Sequence, residues 1–157
     1  HEEYIEVRKE LVEKLIASAG SVVAVGTTSV RTLVGLYFLG ELVAENPDID
    51  CDALHVGQWT PYNREHTLSA VESLQALVSW LERKELDRLH SHTQIMIAPG
   101  YEYRIVKAIV TNFHQPKSTL LLLVSAFLKG DWRKIYDYAL SNGFRFLSYG
   151  DSSLLIP

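Results

Sequence analysis

A strand that passes directly into a helix within residues 21–43 constrains the fold more than any other feature of this sequence. Residues 21–26 (SVVAVG) form a continuous β-branched run, which is typical of a strand buried on both faces. The segment TTSVRTLVGLYFLGELV follows at once and places apolar side chains on one helical stripe. A buried strand followed by a helix is the repeating unit of layered α/β folds.

The same signals recur along the rest of the chain. Ile5 and Val7 alternate with a polar residue as in a strand, and residues 11–16 then have apolar side chains at helical spacing. Residues 44–66 contain two prolines and no sustained period, so we expect a long loop. Residues 68–81 predict an amphipathic helix. The remaining predicted elements are two strands around a Pro99–Gly100 turn, a helix capped by Asp131, and a strand in residues 144–150.

This alternation predicts a layered α/β fold with a mainly parallel sheet flanked by helices, in a single domain of residues 1–157. A chain with 47% hydrophobic and 22% charged residues can bury a core, which excludes disordered and fibrous classes. The longest apolar run, residues 120–128, is far shorter than the roughly 20 residues that cross a membrane. No leader is visible, so we expect no membrane partner and a cytoplasmic location.

Charge and cysteine content add two expectations. The net charge of −4 gives no general attraction to nucleic acid, so an RNA partner would have to meet a local basic patch. Cys51 is the single cysteine and cannot form an internal disulfide, which suits a reducing compartment. Because the chain begins at His1 rather than Met, we expect it to be part of a longer protein.

Hydroxyl and basic side chains follow the strand at residues 21–26. In α/β sheets the chemistry gathers where strands end and helices begin. Free N–H groups, hydroxyls and a guanidinium at the positive end of a helix dipole suit a phosphate or a carboxylate. The alternative is that the hydroxyls only cap the helix. The residues concerned are Thr27, Thr28, Ser29 and Arg31.

A second junction lies in residues 110–130, VTNFHQPKSTLLLLVSAFLKG. Pro116 suits the first turn of a helix, and the apolar run after Thr119 indicates a central, rigid helix. Lys117 opposes the helix dipole, a cost that an anion or a carboxylate elsewhere in the fold would relieve. The imidazole of His114 can exchange a proton near neutral pH, although a lone histidine is often structural.

Four further side chains have both a functional and a structural interpretation. His90 and His92 could suggest a metal, but two histidines without a third ligand at suitable spacing are usually solvated. Tyr101 could stack on a base or sugar, or could belong to the core. Asp151 could hold ribose hydroxyls or act as a base, or could form a turn after a glycine.

Several segments together resemble the C-terminal half of the S-adenosylmethionine:tRNA ribosyltransferase-isomerase family of queuosine biosynthesis. They are HEEYIEV, VAVGTTSVRTL, APGYEYRIV, VTNFHQPKSTLLLLVSAFLKG and FRFLSYGDSSLL. Gln115 stands where a leucine is usual, and DSSLL replaces an ending of the Asp-Ala-Met-Leu type. The segment of residues 40–91 is longer than expected, which predicts an insertion there.

The resemblance implies a larger two-domain enzyme that transfers and isomerises the ribosyl group of S-adenosylmethionine. The acceptor would be 7-aminomethyl-7-deazaguanine in the tRNA anticodon, and the products would be epoxyqueuosine, adenine and methionine. S-adenosylmethionine would be a substrate, and no metal is implied. The roles we expect are acid/base catalysis by His114, orientation of ribose or amine by Asp151, base stacking by Tyr101, one anion site at Lys117, Ser118 and Thr119, and another at Thr27, Thr28, Ser29 and Arg31.

Two other interpretations remain open from the residues alone. The chain could be a nucleotide- or anion-binding α/β module of a different enzyme, which tight binding of another nucleotide would favour. It could also be a non-catalytic structural half-domain. Because an active site of this family should draw on both halves, we expect residues 1–157 to be inactive alone.

Overall fold

The computed structural model describes all residues from His1 to Pro157 and contains five strands and five helices. The strands are β1 (Glu3–Arg8), β2 (Val22–Val25), β3 (Arg88–Thr93), β4 (Val106–Asn112) and β5 (Ser152–Leu155). The helices are α1 (Lys9–Ala17), α2 (Thr27–Glu45), α3 (Ala70–Arg83), α4 (Thr119–Leu128) and α5 (Trp132–Ser141). None of these helices has both the length and the apolar character that crossing a membrane requires.

The strands form two sheets, and their directions are mixed. The larger sheet has the order β2-β4-β5, in which β2 and β4 are parallel and β4 and β5 are antiparallel. The smaller sheet pairs β1 with β3 antiparallel. The α/β class is confirmed, but the expectation of a mainly parallel sheet is wrong. Two helices, α4 and α5, connect β4 to β5, and the chain re-enters the sheet at the same end at which β4 leaves it, because Asn112 pairs with Ser152.

Strand β2 is buried on one face only, which corrects the expectation that residues 21–26 are buried on both. Ala24 packs inward beside Ile109, whereas Val23 and Val25 are 52% and 68% exposed. Leu154 of β5 is also exposed, opposite Val110 in the register. The outer face of the larger sheet therefore has apolar side chains that no element of this chain covers.

Two predicted strands lie elsewhere in the structure. Residues 94–105 form no strand, because their polar backbone groups bond to the loop before α3: Met96 N–H donates to Gln58 O, and the Tyr62 hydroxyl donates to Met96 O. The strand in this part of the chain is instead β3, which ends at Thr93, just before these residues. Residues 144–150 form turns, and the closing strand is β5.

Helix α2 is the centre of the core. Leu36, Tyr37, Phe38 and Leu39 have no exposed surface. The predicted amphipathic helix is confirmed as α3, which begins with a capping box between Ser69 and Glu72 and packs against α2. The two helices approach closely where the Ser73 hydroxyl donates to Tyr37 O over 2.5 Å.

The long loop between α2 and α3 is confirmed, with short 3₁₀ turns at Cys51–Ala53 and Thr60–Tyr62. Its end is fixed to α2 by a buried ionic cluster. Glu41 accepts from Arg64 over 2.9 Å and lies 2.8 Å from His66 Nδ1, and the side chains of Glu41 and His66 are almost fully buried. The loop thereby belongs to the same packed unit as α2, and an insertion at about residues 40–91 stays a prediction.

Candidate functional site

An open cleft of about 560 Å³ lies at the carboxyl ends of β2 and β4. The N-termini of α2 and α4 both border it, so the two junctions singled out in the sequence meet at one place. Open α/β sheets bind ligands at this edge, beyond the carboxyl ends of parallel strands. The lining includes Gly26, Thr27, Thr28, Ser29, Thr111, Asn112, His114, Gln115, Ser118, Leu147, Ser148 and Ser152.

The N-terminus of α2 faces the cleft without a side-chain cap. Its N-cap is Gly26, whose φ of 89° lies in the region that favours glycine and whose N–H donates to Val110 O over 2.8 Å. No side chain accepts a capping bond from the first turn, which does not support the capping alternative. The N–H groups of Thr27, Thr28 and Ser29 are therefore free to bind an anion.

The N-terminus of α4 is built differently. Ser118 is the N-cap, and its hydroxyl accepts from Leu121 N–H over 3.2 Å. Pro116 lies before the helix rather than in its first turn, which corrects that prediction. Lys117 has a φ of 64°, a left-handed conformation that this type of residue rarely adopts. Lys117 and Thr119 lie on either side of Ser118 but do not line the cleft.

His114 lies just beyond β4 and is held by two contacts. Its Nε2 is 3.1 Å from the Thr111 hydroxyl, and its backbone N–H donates to the Tyr136 hydroxyl over 2.9 Å. Burial lowers the pKa of His114 below its ordinary value, because the charged ring loses hydration. The imidazole is therefore neutral at pH 7 and can accept a proton from a ligand in the cleft.

Asp151 lies beside the cleft rather than in its lining. Its carboxylate accepts from Arg145 N–H over 2.6 Å and from the Arg145 guanidinium over 3.3 Å. The hydrogen bond from the Arg145 backbone is the main cause that lowers the pKa of Asp151. This geometry favours the turn-forming interpretation of Asp151, while the adjacent Ser152 faces the cleft.

The structure does not bring Arg31 or Tyr101 into the cleft. Arg31 Nε lies 3.6 Å from a carboxylate oxygen of Glu3 on β1, and both side chains are largely buried. Tyr101 is 5% exposed and packs near Phe38, with ring centroids 6.0 Å apart. Burial raises the pKa of Tyr101, and its location favours core packing over base stacking.

His90 and His92 lie on β3, away from the cleft. Each faces a carboxylate of β1 or its leading residues: His90 Nδ1 is 3.9 Å from Glu6, and His92 Nε2 is 3.3 Å from Glu2. The chain contains no group of three or more His, Cys, Asp or Glu side chains arranged to hold a metal ion.

Several cleft residues were missed by the sequence reasoning. Thr111 and Asn112 end β4 and point polar groups toward the site, and this polar pair at the end of an apolar strand was a usable signal. Tyr136 fixes His114 from α5, which no local pattern indicates. Leu147 and Ser148 reach the cleft only because the chain turns there.

The fold and the cleft define an α/β protein whose site lies at strand ends between two helix N-termini, the class of site that binds nucleotide and carboxylate ligands. Sequence comparison then assigns the family: the chain belongs to the family described as queuosine biosynthesis protein, which it matches over residues 1–155.

Two relatives extend this result. The chain is 58% identical over 66 residues to the S-adenosylmethionine:tRNA ribosyltransferase-isomerase of Cereibacter sphaeroides, a match that covers 41% of this chain and 19% of that protein. The crystal structure of an S-adenosylmethionine tRNA ribosyltransferase from Thermotoga maritima is similar with a TM-score of 0.61 and 30% identity. That similarity covers 98% of this chain and 40% of the solved chain, so this chain spans less than half of that relative.

Proposed function

We propose that this chain, at full length, transfers and isomerises the ribosyl group of S-adenosylmethionine onto 7-aminomethyl-7-deazaguanine in the tRNA anticodon. The products are epoxyqueuosine in tRNA, adenine and methionine. Family membership and the names of both relatives support this activity. The observation that carries the proposal furthest is that both family-like junctions line one cleft, the first through residues 26–29 and the second through His114, Gln115 and Ser118.

His114 is the acid/base residue of this proposal. Its ring lies in the cleft and its pKa is lowered by burial, so it is neutral at pH 7. It accepts the acidic proton on the carbon next to the sulfonium and then donates that proton to the departing adenine. This proton thus moves from substrate to histidine to adenine, and the aminomethyl nitrogen of the acceptor releases a second proton to solvent as its bond to the ribosyl carbon forms.

The N-terminus of α2 is the anion site of this proposal. The free N–H groups and hydroxyls of Thr27, Thr28 and Ser29 bind the methionine carboxylate or a tRNA phosphate at the positive end of the helix dipole. Ser118 supplies a second polar contact, and Lys117 and Thr119 adjoin it at the rim. Arg31 lies outside the cleft and stabilises this site indirectly, through its contact with Glu3 of β1. Asp151 orients ribose only indirectly, because its bonds to Arg145 fix the turn that leads to Ser152 in the cleft lining.

The partners and location follow from the same proposal. The RNA partner is a tRNA whose anticodon loop presents the modified base, and the reaction takes place in the cytoplasm. Because this chain spans 40% of the solved relative, residues 1–157 alone supply only part of the substrate contacts and are inactive.

Replacement of His114 in the full-length protein tests the proposal. Adenine release from S-adenosylmethionine in the presence of tRNA should fall at least about 100-fold in His114→Ala, as expected when an acid/base group is lost. His90→Ala, which removes an exposed histidine remote from the cleft, is the matched control and should keep the parental rate. A loss of less than about threefold in His114→Ala, under ~1 kcal/mol, would contradict the acid/base role.

A further inference from the structure

The turn of residues 145–151 forms one wall of the cleft and is fixed at both ends. Arg145 and Asp151 are joined by two backbone-donated bonds besides the guanidinium contact: Asp151 N–H donates to Arg145 O over 2.9 Å, and Arg145 N–H donates to the Asp151 carboxylate over 2.6 Å. Leu147 N–H donates to Phe113 O over 2.9 Å. The turn is therefore tied to the residue that precedes His114.

The backbone inside this turn has little freedom. Leu147 has a φ of 69°, a conformation that residues with a side chain rarely adopt, and Gly150 N–H donates to its carbonyl over 2.9 Å. A Cβ on Gly150 would lie 2.4 Å from Arg145 O and 2.5 Å from Phe146 O, so only glycine fits. Such a conformation persists only where the surrounding structure fixes it, and such sites cluster around ligands.

Tyr149 lies at the tip of this turn and is 99% exposed. Its hydroxyl makes no hydrogen bond, and its ring contacts no other aromatic ring or guanidinium of the chain. The residues around it, Leu147, Ser148 and Ser152, line the cleft. The fold thus holds a large exposed aromatic ring on the residue that directly follows the cleft-lining Ser148, and makes no use of that ring in its own packing.

We propose that Tyr149 stacks on a nucleobase bound at the rim of the cleft. This inference rests on the proposed function, whose substrates supply two such bases: the adenine of S-adenosylmethionine and a base of the tRNA anticodon loop. A tyrosine ring offers a flat apolar face to either. Because the turn is already rigid, little backbone freedom remains to be lost when the base binds.

Binding measurements on the full-length protein test this proposal. The variants are Tyr149→Ala, which removes the ring, and Tyr149→Phe, which keeps the ring and removes only the unbonded hydroxyl. Tyr4→Ala is the matched control, because Tyr4 is 82% exposed but belongs to the smaller sheet. The two probes are S-adenosylmethionine and an anticodon stem-loop RNA with 7-aminomethyl-7-deazaguanine.

Tyr149→Ala should weaken the Kd for one probe by about 5- to 150-fold, the range typical of a lost base–aromatic stack. Tyr149→Phe and Tyr4→Ala should stay within about twofold of the parent. Weaker binding of S-adenosylmethionine identifies adenine as the stacked base, and weaker binding of the RNA identifies an anticodon base.

Two results would overturn the inference, and they are distinguishable. Parental affinity of Tyr149→Ala for both probes, in a parent that binds both, removes the stacking role and leaves the proposed function intact. A parent that binds neither probe removes the proposed function and the stacking role together.

Discussion

The backbone N–H of His114 donates a hydrogen bond to the hydroxyl of Tyr136 over 2.9 Å, so helix α5 holds the end of β4 at the cleft. Tyr136 is buried and packs edge-on against Phe113, the residue before His114. The position of the proposed acid/base residue thus depends on a helix that does not itself reach the site.

Tyr136→Phe should lower the free energy of unfolding by about 1 kcal/mol, because the His114 N–H loses its acceptor while the ring packing is kept. Tyr138→Phe on the same helix is the control, since Tyr138 is 63% exposed and its hydroxyl makes no bond; it should change stability by less than about 0.5 kcal/mol. Urea unfolding of both variants checks this. Equal stability of the two would mean that the Tyr136 hydroxyl does not hold β4.

Stability should decrease as the pH falls below about 6.5, the ordinary pKa of histidine. The pKa of His114 is lower in the folded chain, so the unfolded chain binds the proton more readily in this range and acid favours unfolding. Above the ordinary pKa the ring is neutral in both states and contributes no pH dependence. Between pH 8 and pH 5, the urea midpoint of unfolding should fall less in His114→Gln than in the parent. Parallel curves of the midpoint against pH would contradict the burial of a neutral ring.

Gly40→Ala should destabilise the chain by at least about 1–3 kcal/mol, because the added Cβ would lie 2.2 Å from both Ser73 O and Ser73 Oγ. Gly35→Ala lies on the same helix and is the control. Its Cβ would meet Thr93 at 3.9 Å, an ordinary contact, so the better helix propensity of alanine should leave stability unchanged or raise it by up to about 1 kcal/mol. Thermal unfolding compares the two, and a similar loss in both would refute the close approach of α2 and α3.

Glu41→Gln should cost about 2 kcal/mol, because charge-assisted bonds to Arg64 and His66 are lost from a buried position. Glu45→Gln is the matched control, since Glu45 also pairs with Arg64 but is half exposed, and it should cost less than about 1 kcal/mol. Urea unfolding measures both. If the two substitutions cost the same, the buried cluster does not anchor the loop before α3.

Local signals in the sequence predicted the helices well and the strand directions poorly. The period of residues 68–81 predicted α3 without tertiary information, and the structure adds a capping box between Ser69 and Glu72 at its start. Alternation of apolar residues cannot report whether a strand runs parallel to its neighbour, so the antiparallel β4–β5 pair was missed. Residues 94–98 have strand-like composition, but their backbone groups bond to loop residues that no local pattern locates.

The candidate site was predicted in part. Residues next to a strand end, such as Ser29 and His114, were predicted correctly to lie at junctions, and both line the cleft. Arg31 points to β1 because a helical residue two positions after Ser29 faces another side of α2. Tyr149 was not singled out, because its exposure depends on a turn built from Leu147 and Gly150 rather than on composition.

The cleft joins segments that are far apart along the chain, from Gly26 through His114 to Ser152. Long-range closure of this kind is slow and costs chain entropy, so the site should be among the last features to form during folding. A piece of the chain contains all of its walls only if it runs at least from Val25 to Ser152. A ligand of the cleft will therefore bind only the folded chain, and its occupancy will raise the unfolding temperature by mass action, with a stabilisation that grows with the logarithm of its concentration relative to Kd.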